Sequence, residues 1–415
     1  MAADNHLAIH RTVAAILLCY PILLLTVKGG MNGLYFLLLI TSLFYLFRTR
    51  TTKATGLWDV YSIAFAIAMA SPIMAIFLSQ TYHGDFAARE YDGPSRFLLA
   101  VPMFLALRQI KASTLSVLQY GLALGAISAF FVVMLVADHQ QYFPRASNTF
   151  LHPIHFGDLA LMLGFLSVFS INWAGRDAPF IVAMKSLGLL AGIYASVQSQ
   201  SRGGWVAIPV ILLAWLFIRN KQHRLLHLSV ATASIILLGV IGYFSVSVIQ
   251  HRMNDIYSDV AAAWQGNLDT SLGIRVQLWK AALHLFMENP LFGVGPDGFA
   301  PVMSNLQQSG AISELTAQNG RSEVHNFIIG NMAKLGIFGL FSALAVFLAP
   351  LIIFLRVAQS GTQMQKRATM MGICLVLGFF VFGLSVEIYN YKMVAAFYSL
   401  TLAVLLAAAT NRTTA

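Results

Sequence analysis

Hydrophobic residues along this chain fall into long runs separated by short polar breaks. The runs lie at about 12–27, 33–47, 57–78, 96–107, 115–136, 153–173, 178–198, 203–218, 228–249, 327–354, 368–385 and 391–410. None shows the strict alternation of a half-buried strand, and most approach the roughly 20 residues that a helix needs to cross a bilayer. The pattern predicts an all-α, polytopic membrane protein with about twelve transmembrane helices. The fourth run is about half a normal span and must draw on flanking residues. The tenth is long enough to tilt or to extend beyond the membrane.

The main polar interruption, residues 250–326, divides the chain into helices 1–9 (residues 1–249), a large partly helical loop, and helices 10–12 (residues 327–415). Within the loop, TSLGIRVQLWKAALHLFMENP reads as a helix. Thr270 or Ser271 can cap its start and Asn289-Pro290 stops it. Arg275, Trp279, Leu283 and Met287 share one stripe at four-residue spacing. The glycine-rich LFGVGPDGF that follows has no strand–turn–helix context, so it does not read as a nucleotide site.

Composition agrees with the pattern. Hydrophobic residues make up 58% of the 415 and charged residues 10%, against about 25% charged in soluble domains. The net charge of +10 reads as orientation in the bilayer and attraction of anionic lipid or substrate, with no nucleic acid partner. With the N-terminus placed in the cytoplasm, the inside loops collect Arg48, Arg50 and Lys53; Arg108 and Lys111; Arg176; Arg219, Lys221 and Arg224; Arg356, Lys366 and Arg367; and Arg412. That repeats the positive-inside rule. It puts both termini in the cytoplasm and loops 79–95, 137–152 and 250–326 outside. The opening residues carry Arg11 before an apolar run but no small-residue cleavage site, so they read as a retained first helix. Cys19 and Cys374 both lie in apolar runs and are poor disulfide candidates, and no cysteine–histidine cluster has metal-ligand spacing.

Four outer-face groups carry candidate chemistry. Arg96, after Asp92-Gly93-Pro94, is either a snorkelling interfacial arginine or part of an anion pocket. In SQSRGGW, Arg202 stands at a hinge whose two glycines permit a tight reversal and close backbone approach, and a guanidinium fork suits phosphate. Arg275, with Lys280, can bring further cations over the bundle. In RSEVHNF, Arg321, Glu323 and His325 alternate before the tenth run. His325 is suited to proton transfer near neutral pH. Glu323 is too close in sequence for an i,i+4 helical pair, yet it can orient the imidazole if the backbone there is not helical. Asn326 can hold backbone at the helix start. Glu387, Tyr389 and Lys392 can line a pocket. His152 and His155 read first as a polar span entrance, and Asp158 is expensive in lipid.

Together, DGPSRFLLAVP, SQSRGGW, SLGIRVQLWKAAL with NPLFGVGPDGF, and VHNFIIGNMAKLGIFGL resemble the O-antigen ligases of Gram-negative bacteria, within the wider polymerase and oligosaccharyltransferase superfamily. The resemblance implies a multi-pass inner-membrane enzyme with its active site facing the periplasm. Its donor is a glycan on undecaprenyl pyrophosphate, its acceptor a sugar hydroxyl of lipid A–core, and it uses no cofactor, metal or ATP. It places the family's hinge arginine on Arg202, its loop-helix arginine on Arg275 and its essential histidine on His325. Many relatives carry a second histidine where this chain has Glu323. Arg96, Arg321, Glu323, Lys280 and Glu387 remain candidates for substrate binding. The alternatives are an O-antigen polymerase, a protein O-oligosaccharyltransferase and, from another class, a lipid or sugar transporter.

Overall fold

The computed structural model describes residues 2–49, 57–136, 145–219, 224–321, 323–358, 361–389 and 391–411. Arg50, Lys53, Lys221 and Arg412, counted above among the inside charges, lie outside them. The protein is an all-α polytopic membrane protein; no strand occurs among the described residues. Its first half contains α1 (Ala2–Thr26), α2 (Gly30–Thr49), α3 (Val60–His83), α4 (Asp92–Leu107), a short α5 (Ala112–Leu115), α6 (Leu118–Val136), α7 (Pro153–Phe169) and α8 (Pro179–Ser199). A brief α9 (Arg202–Trp205) leads into α10 (Ala207–Arg219) and α11 (Arg224–Ser245). The loop folds into α12 (Ser247–Trp264), α13 (Ser271–Glu288), α14 (Phe299–Gln308) and α15 (Glu314–Gly320). The chain closes with α16 (Phe327–Val357), α17 (Gln363–Gly383) and α18 (Lys392–Ala409).

Every apolar run is helical. Nine helices among the described residues are long and apolar enough to cross a membrane. The other three runs give shorter helices. α4 has 16 residues and starts at Asp92, so it does recruit flanking polar residues. α7 has 17 residues, and the third covers Arg202–Ile218. At 1.5 Å per residue, 16 or 17 residues rise only about 25 Å, short of a hydrocarbon core of about 30 Å.

α18 is the central helix, with 89% of its apolar window buried. Lipid tails are as apolar as leucine, so packing and hydrogen bonds hold a bundle together inside a membrane. α18 supplies small residues for close approach, among them Ala395, Ala396 and Ala403. Tyrosines add specific ties. Tyr398 donates to the Val346 carbonyl at 2.9 Å, and Tyr20 meets Thr401 at 3.0 Å. At one end of the bundle, Arg108 makes a two-point contact with Asp59, at 3.1 and 2.8 Å. At that same end Asn411 donates to the Ile110 carbonyl and Gln365 to the Asn411 carbonyl. The long loop sits at the other end.

In and beside the loop the structure differs from the sequence reading. Four helices occupy the loop rather than one, and the first begins at Ser247, directly after Val246 interrupts the ninth run. The α13 helix starts as expected, with Thr270 Oγ1 accepting from the Gly273 amide at 3.1 Å. Its buried face, however, is Leu278, Ala281, Ala282 and Leu285, packed with Phe299, Met303, Ala317 and Val324 into a small core of the loop's own. Leu283 and Met287 of the expected stripe are exposed, Met287 to 69%.

A further difference is that α16 is not one continuous span. Gly336 (φ 65°, ψ −147°) breaks it, in a region of backbone space open essentially to glycine alone. The turn after α13 fills the break. Val294 N donates to the Ala333 carbonyl and Gly295 N to the Lys334 carbonyl, each at 3.0 Å, while Ile337 N donates to the Pro290 carbonyl at 2.8 Å. A Cβ at Gly336 would also run into the Leu291 carbonyl. The outer piece, Phe327–Leu335, thus packs with the loop, and the remainder continues as the span.

Candidate active site

The hinge before α10 is built differently from its sequence appearance. The reversal after α8 is made by Gln200 in the left-handed region (φ 58°). Gly203 and Gly204 sit in α9, where their lack of a Cβ allows contact. A side chain at Gly204 would collide with Asp158 Oδ1, and one at Gly203 with Ser385 Oγ. Asp158 is buried on α7 and accepts from Ser201 Oγ at 2.7 Å. Asp158 thus pins the turn that carries Arg202.

Arg202 and Arg275 line one cavity of about 180 Å³, and Arg145 and Arg252 line it with them. The Arg202 guanidinium donates to the Arg252 carbonyl at 3.2 Å, and Arg145 Nε donates to the Ser199 carbonyl at 3.0 Å. Arg252 pairs with Asp255 at 3.0 Å. Among the described residues that line the cavity, four guanidinium groups meet two carboxylates, Asp255 and Asp259, with Asp158 and Glu323 within electrostatic reach. Burial, reinforced by Arg252, Arg202 and Arg275, pulls the Arg145 guanidinium down to about 10. Burial, together with Arg202, likewise holds Arg275 below its ordinary value. Clustering half-buried like charges is unfavourable without an anion to bridge them. The arrangement therefore suits a compact, multiply charged anion, and guanidinium forks match phosphoryl oxygens.

A second arrangement surrounds His325. Its backbone is left-handed (φ 56°), a conformation uncommon for residues other than glycine but one in which histidine is enriched. Helix α16 begins two residues later. Asn326 caps it, its side-chain oxygen accepting from the Ile328 and Ile329 amides at 3.1 Å each. The kink before the cap lets Glu323 Oε1 reach His325 Nδ1 at 3.0 Å. The carboxylate lies off the axis of the ring N–H, so the contact is an ion-pair distance without hydrogen-bond alignment. A carboxylate beside Nδ1 favours the proton there and leaves Nε2 to act as base.

Glu323 is held in turn. Its Oε2 accepts from the Glu387 amide at 3.2 Å, and Glu387 Oε1 accepts from the Val324 amide at 2.8 Å. Lys334 Nζ closes the set on Glu387 Oε2 at 2.7 Å. Burial pushes the Glu323 carboxyl up, but His325 and the Glu387 amide outweigh it and hold the group below its ordinary value.

The remaining candidates fall as follows. Arg321 and Glu387 line a second cavity of about 360 Å³. Glu387 itself is buried, with its carboxylate engaged as described. Arg96 is buried in an ion pair with Asp92 and lies over the Phe36 ring. Lys280 is exposed on α13 and lines neither cavity. His155 is buried against the Tyr391 ring. His325 lines neither cavity but stands beside the segment that joins them. Ser385 lines the first, Glu387 the second, and Asn326 Nδ2 approaches the carbonyl of Leu384, just before Ser385, at 3.5 Å. His152 lies within electrostatic reach of Arg145, Glu323 and His325. Among the described residues, no three His, Cys, Asp or Glu side chains converge as metal ligands. Arg145, Arg252 and Lys334 were missed as site residues in the sequence. Arg145 and Arg252 border apolar runs with no local motif, and only the fold brings them to Arg202.

Comparison with known proteins adds a partial family match. Residues 187–344, from mid-α8 into α16, match the O-antigen ligase family. The matched segment contains Arg202, Arg252, Arg275, Arg321, Glu323 and His325, and excludes Arg145 and Glu387. An uncharacterized protein of Haemophilus influenzae is 26% identical over 293 residues, which is 69% of this chain and 71% of the relative. An O-antigen ligase of Escherichia coli K12 is 25% identical over 193 residues, 45% of this chain and 44% of the relative.

Proposed function

For this O-antigen ligase-type membrane protein, similar to that family through the segment bearing both the arginines and the histidine, we propose transfer of a complete O-antigen glycan. The donor is undecaprenyl pyrophosphate-linked glycan and the acceptor a sugar hydroxyl of lipid A–core. The reaction takes place at the periplasmic face of the inner membrane, with both chain ends in the cytoplasm. The observation that carries this reading is the convergence of Arg202 and Arg275, distant in sequence, on one cavity with Arg145 and Arg252.

In this mechanism the arginines hold the pyrophosphate and stabilise the charge it gains as the anomeric C–O bond breaks. Pyrophosphate is already a good leaving group, so orientation and charge stabilisation are the main needs. The acceptor oxygen attacks the anomeric carbon from the opposite side and inverts it. His325 Nε2 takes the acceptor hydroxyl's proton, with Glu323 facing the ring at Nδ1. Glycan joins acceptor, undecaprenyl pyrophosphate departs, and the proton rests on His325.

The test is transfer by the purified full chain from lipid-linked donor to lipid A–core, followed by the size of the product. His325→Ala should lower the rate by about 10²-fold or more; undiminished transfer would remove the base assignment. Lengthening of the donor glycan in place of transfer to the core would make the protein a polymerase.

A further inference from the structure

We propose that the second cavity is the acceptor subsite, where a hydroxyl-rich, anionic oligosaccharide is held with its reacting hydroxyl toward His325. This rests on the transferase reading above. Its starting point is the different electrostatic character of the two cavities.

The second cavity lies between the chain preceding α4, the turn after α13, the outer piece of α16 and the start of α18. Its volume of about 360 Å³ falls within the usual range of small-molecule sites, roughly 300–1,000 Å³. Unlike the arginine cavity, its cations are met by carboxylates. Arg89 pairs with both Glu90 and Asp297. Lys392 pairs with Asp92, and Lys334 with Glu387. Paired charges attract a net ion weakly, yet their oxygens and N–H groups remain a dense array of acceptors and donors. Sugar hydroxyls, each both donor and acceptor, are complementary to such an array.

Arg321 differs from these cations. It is exposed on the cavity lining and has no ion pair or hydrogen bond among the described residues. Its guanidinium is available to an anionic substituent on the bound sugar, a phosphate or an acidic-sugar carboxylate. The position fits the chemistry. Glu387 lines this cavity and its amide holds Glu323, which in turn faces His325. Ser385, two residues earlier, lines the arginine cavity. Donor anion and acceptor sugar would therefore approach the imidazole from two sides of the Ser385–Glu387 segment.

The experiment measures binding of delipidated lipopolysaccharide core oligosaccharide to the detergent-solubilised full chain, without donor, alongside acceptor KM in the transfer assay. Arg321→Ala and Glu90→Gln should each weaken core binding and raise acceptor KM by about tenfold, while donor KM and kcat stay within about twofold. Arg321→Lys should recover part of the loss, and Arg275→Ala should leave core binding intact. Phosphatase-treated core binding the wild type more weakly, with no further loss in Arg321→Ala, identifies phosphate as the partner. An unchanged affinity after phosphatase, with Arg321→Ala still weaker, identifies a carboxylate. Wild-type affinity in both cavity variants, or loss of core binding in Arg275→Ala alone, overturns the subsite. Core binding that depends on Arg321 in a protein that transfers nothing would instead defeat the transferase reading and leave the subsite standing.

Discussion

At the scale of single residues, the decisive feature is the left-handed backbone at His325. In a helix Glu323 and His325 would point to different sides; the kink turns them toward each other. Glu323→Gln should therefore keep the fold but lower transfer by about tenfold, measured as kcat with both substrates saturating. It should also alter acid stability. The Glu323 carboxyl is held below its ordinary value of 4.5, so its stabilising effect is complete above that value and is lost as pH falls through the depressed one. The difference in thermal stability between wild type and Glu323→Gln should be constant from neutral pH to about 5 and shrink below about 4. His325 and Arg202 were legible as candidates because each is a polar residue of distinctive chemistry beside an apolar run, whereas Arg275, inside the polar loop, stood out chiefly through the resemblance. The Glu387 clamp was not, since it consists of backbone amides meeting carboxylates between two segments far apart in sequence, one before α16 and one before α18. Arg145 gives a prediction of opposite sign. Burial and three neighbouring guanidinium groups oppose its charge, so Arg145→Gln should raise the melting temperature without ligand. The same change should reduce the further rise produced by inorganic pyrophosphate, read by thermal unfolding in detergent.

At the scale of elements, α16 and the hinge before α10 show where periodicity reaches its limit. Apolar runs predicted both helices, but they carry no signal for a break, because Gly336 is one of several glycines in an otherwise continuous run. Only its φ of 65° and ψ of −147° reveal the interruption. Gly336→Ala should cost about 1–3 kcal/mol and displace the Pro290–Gly295 turn, with lower thermal stability and faster proteolysis of the loop as the readouts. The hinge makes the complementary point. A Gly-Gly pair in sequence suggests a turn, yet Gln200 turns the chain and the glycines serve contact with Asp158 and Ser385. The loop's own core was hidden for a related reason. The buried face of α13 includes the small residues Ala281 and Ala282, which weigh little in a search for large apolar stripes.

At the scale of the whole molecule, the helical membrane architecture was legible because long apolar runs have few other uses. The grouping of four arginines was not, since it depends on which helices are neighbours. The proposed orientation has a direct check. In a background lacking Cys19 and Cys374, Gln265→Cys should react with a membrane-impermeant maleimide on intact spheroplasts, and Lys366→Cys only after lysis. Reversed labelling would place the loop in the cytoplasm. The joint between loop and bundle has one more consequence. The turn after α13 is fastened to α16 through main-chain N–H and carbonyl groups, which every residue except proline at its nitrogen provides alike. Those main-chain bonds are indifferent to most side chains as long as the glycines persist, whereas the same turn meets α3 through the side chains of Ser79, Tyr82 and His83. Exchanged as a unit between relatives, the loop should therefore dock in the same pose only where α3 keeps those side chains, and it would bring Arg321 to the second cavity while Glu90, Glu387 and Lys392 stay with the bundle.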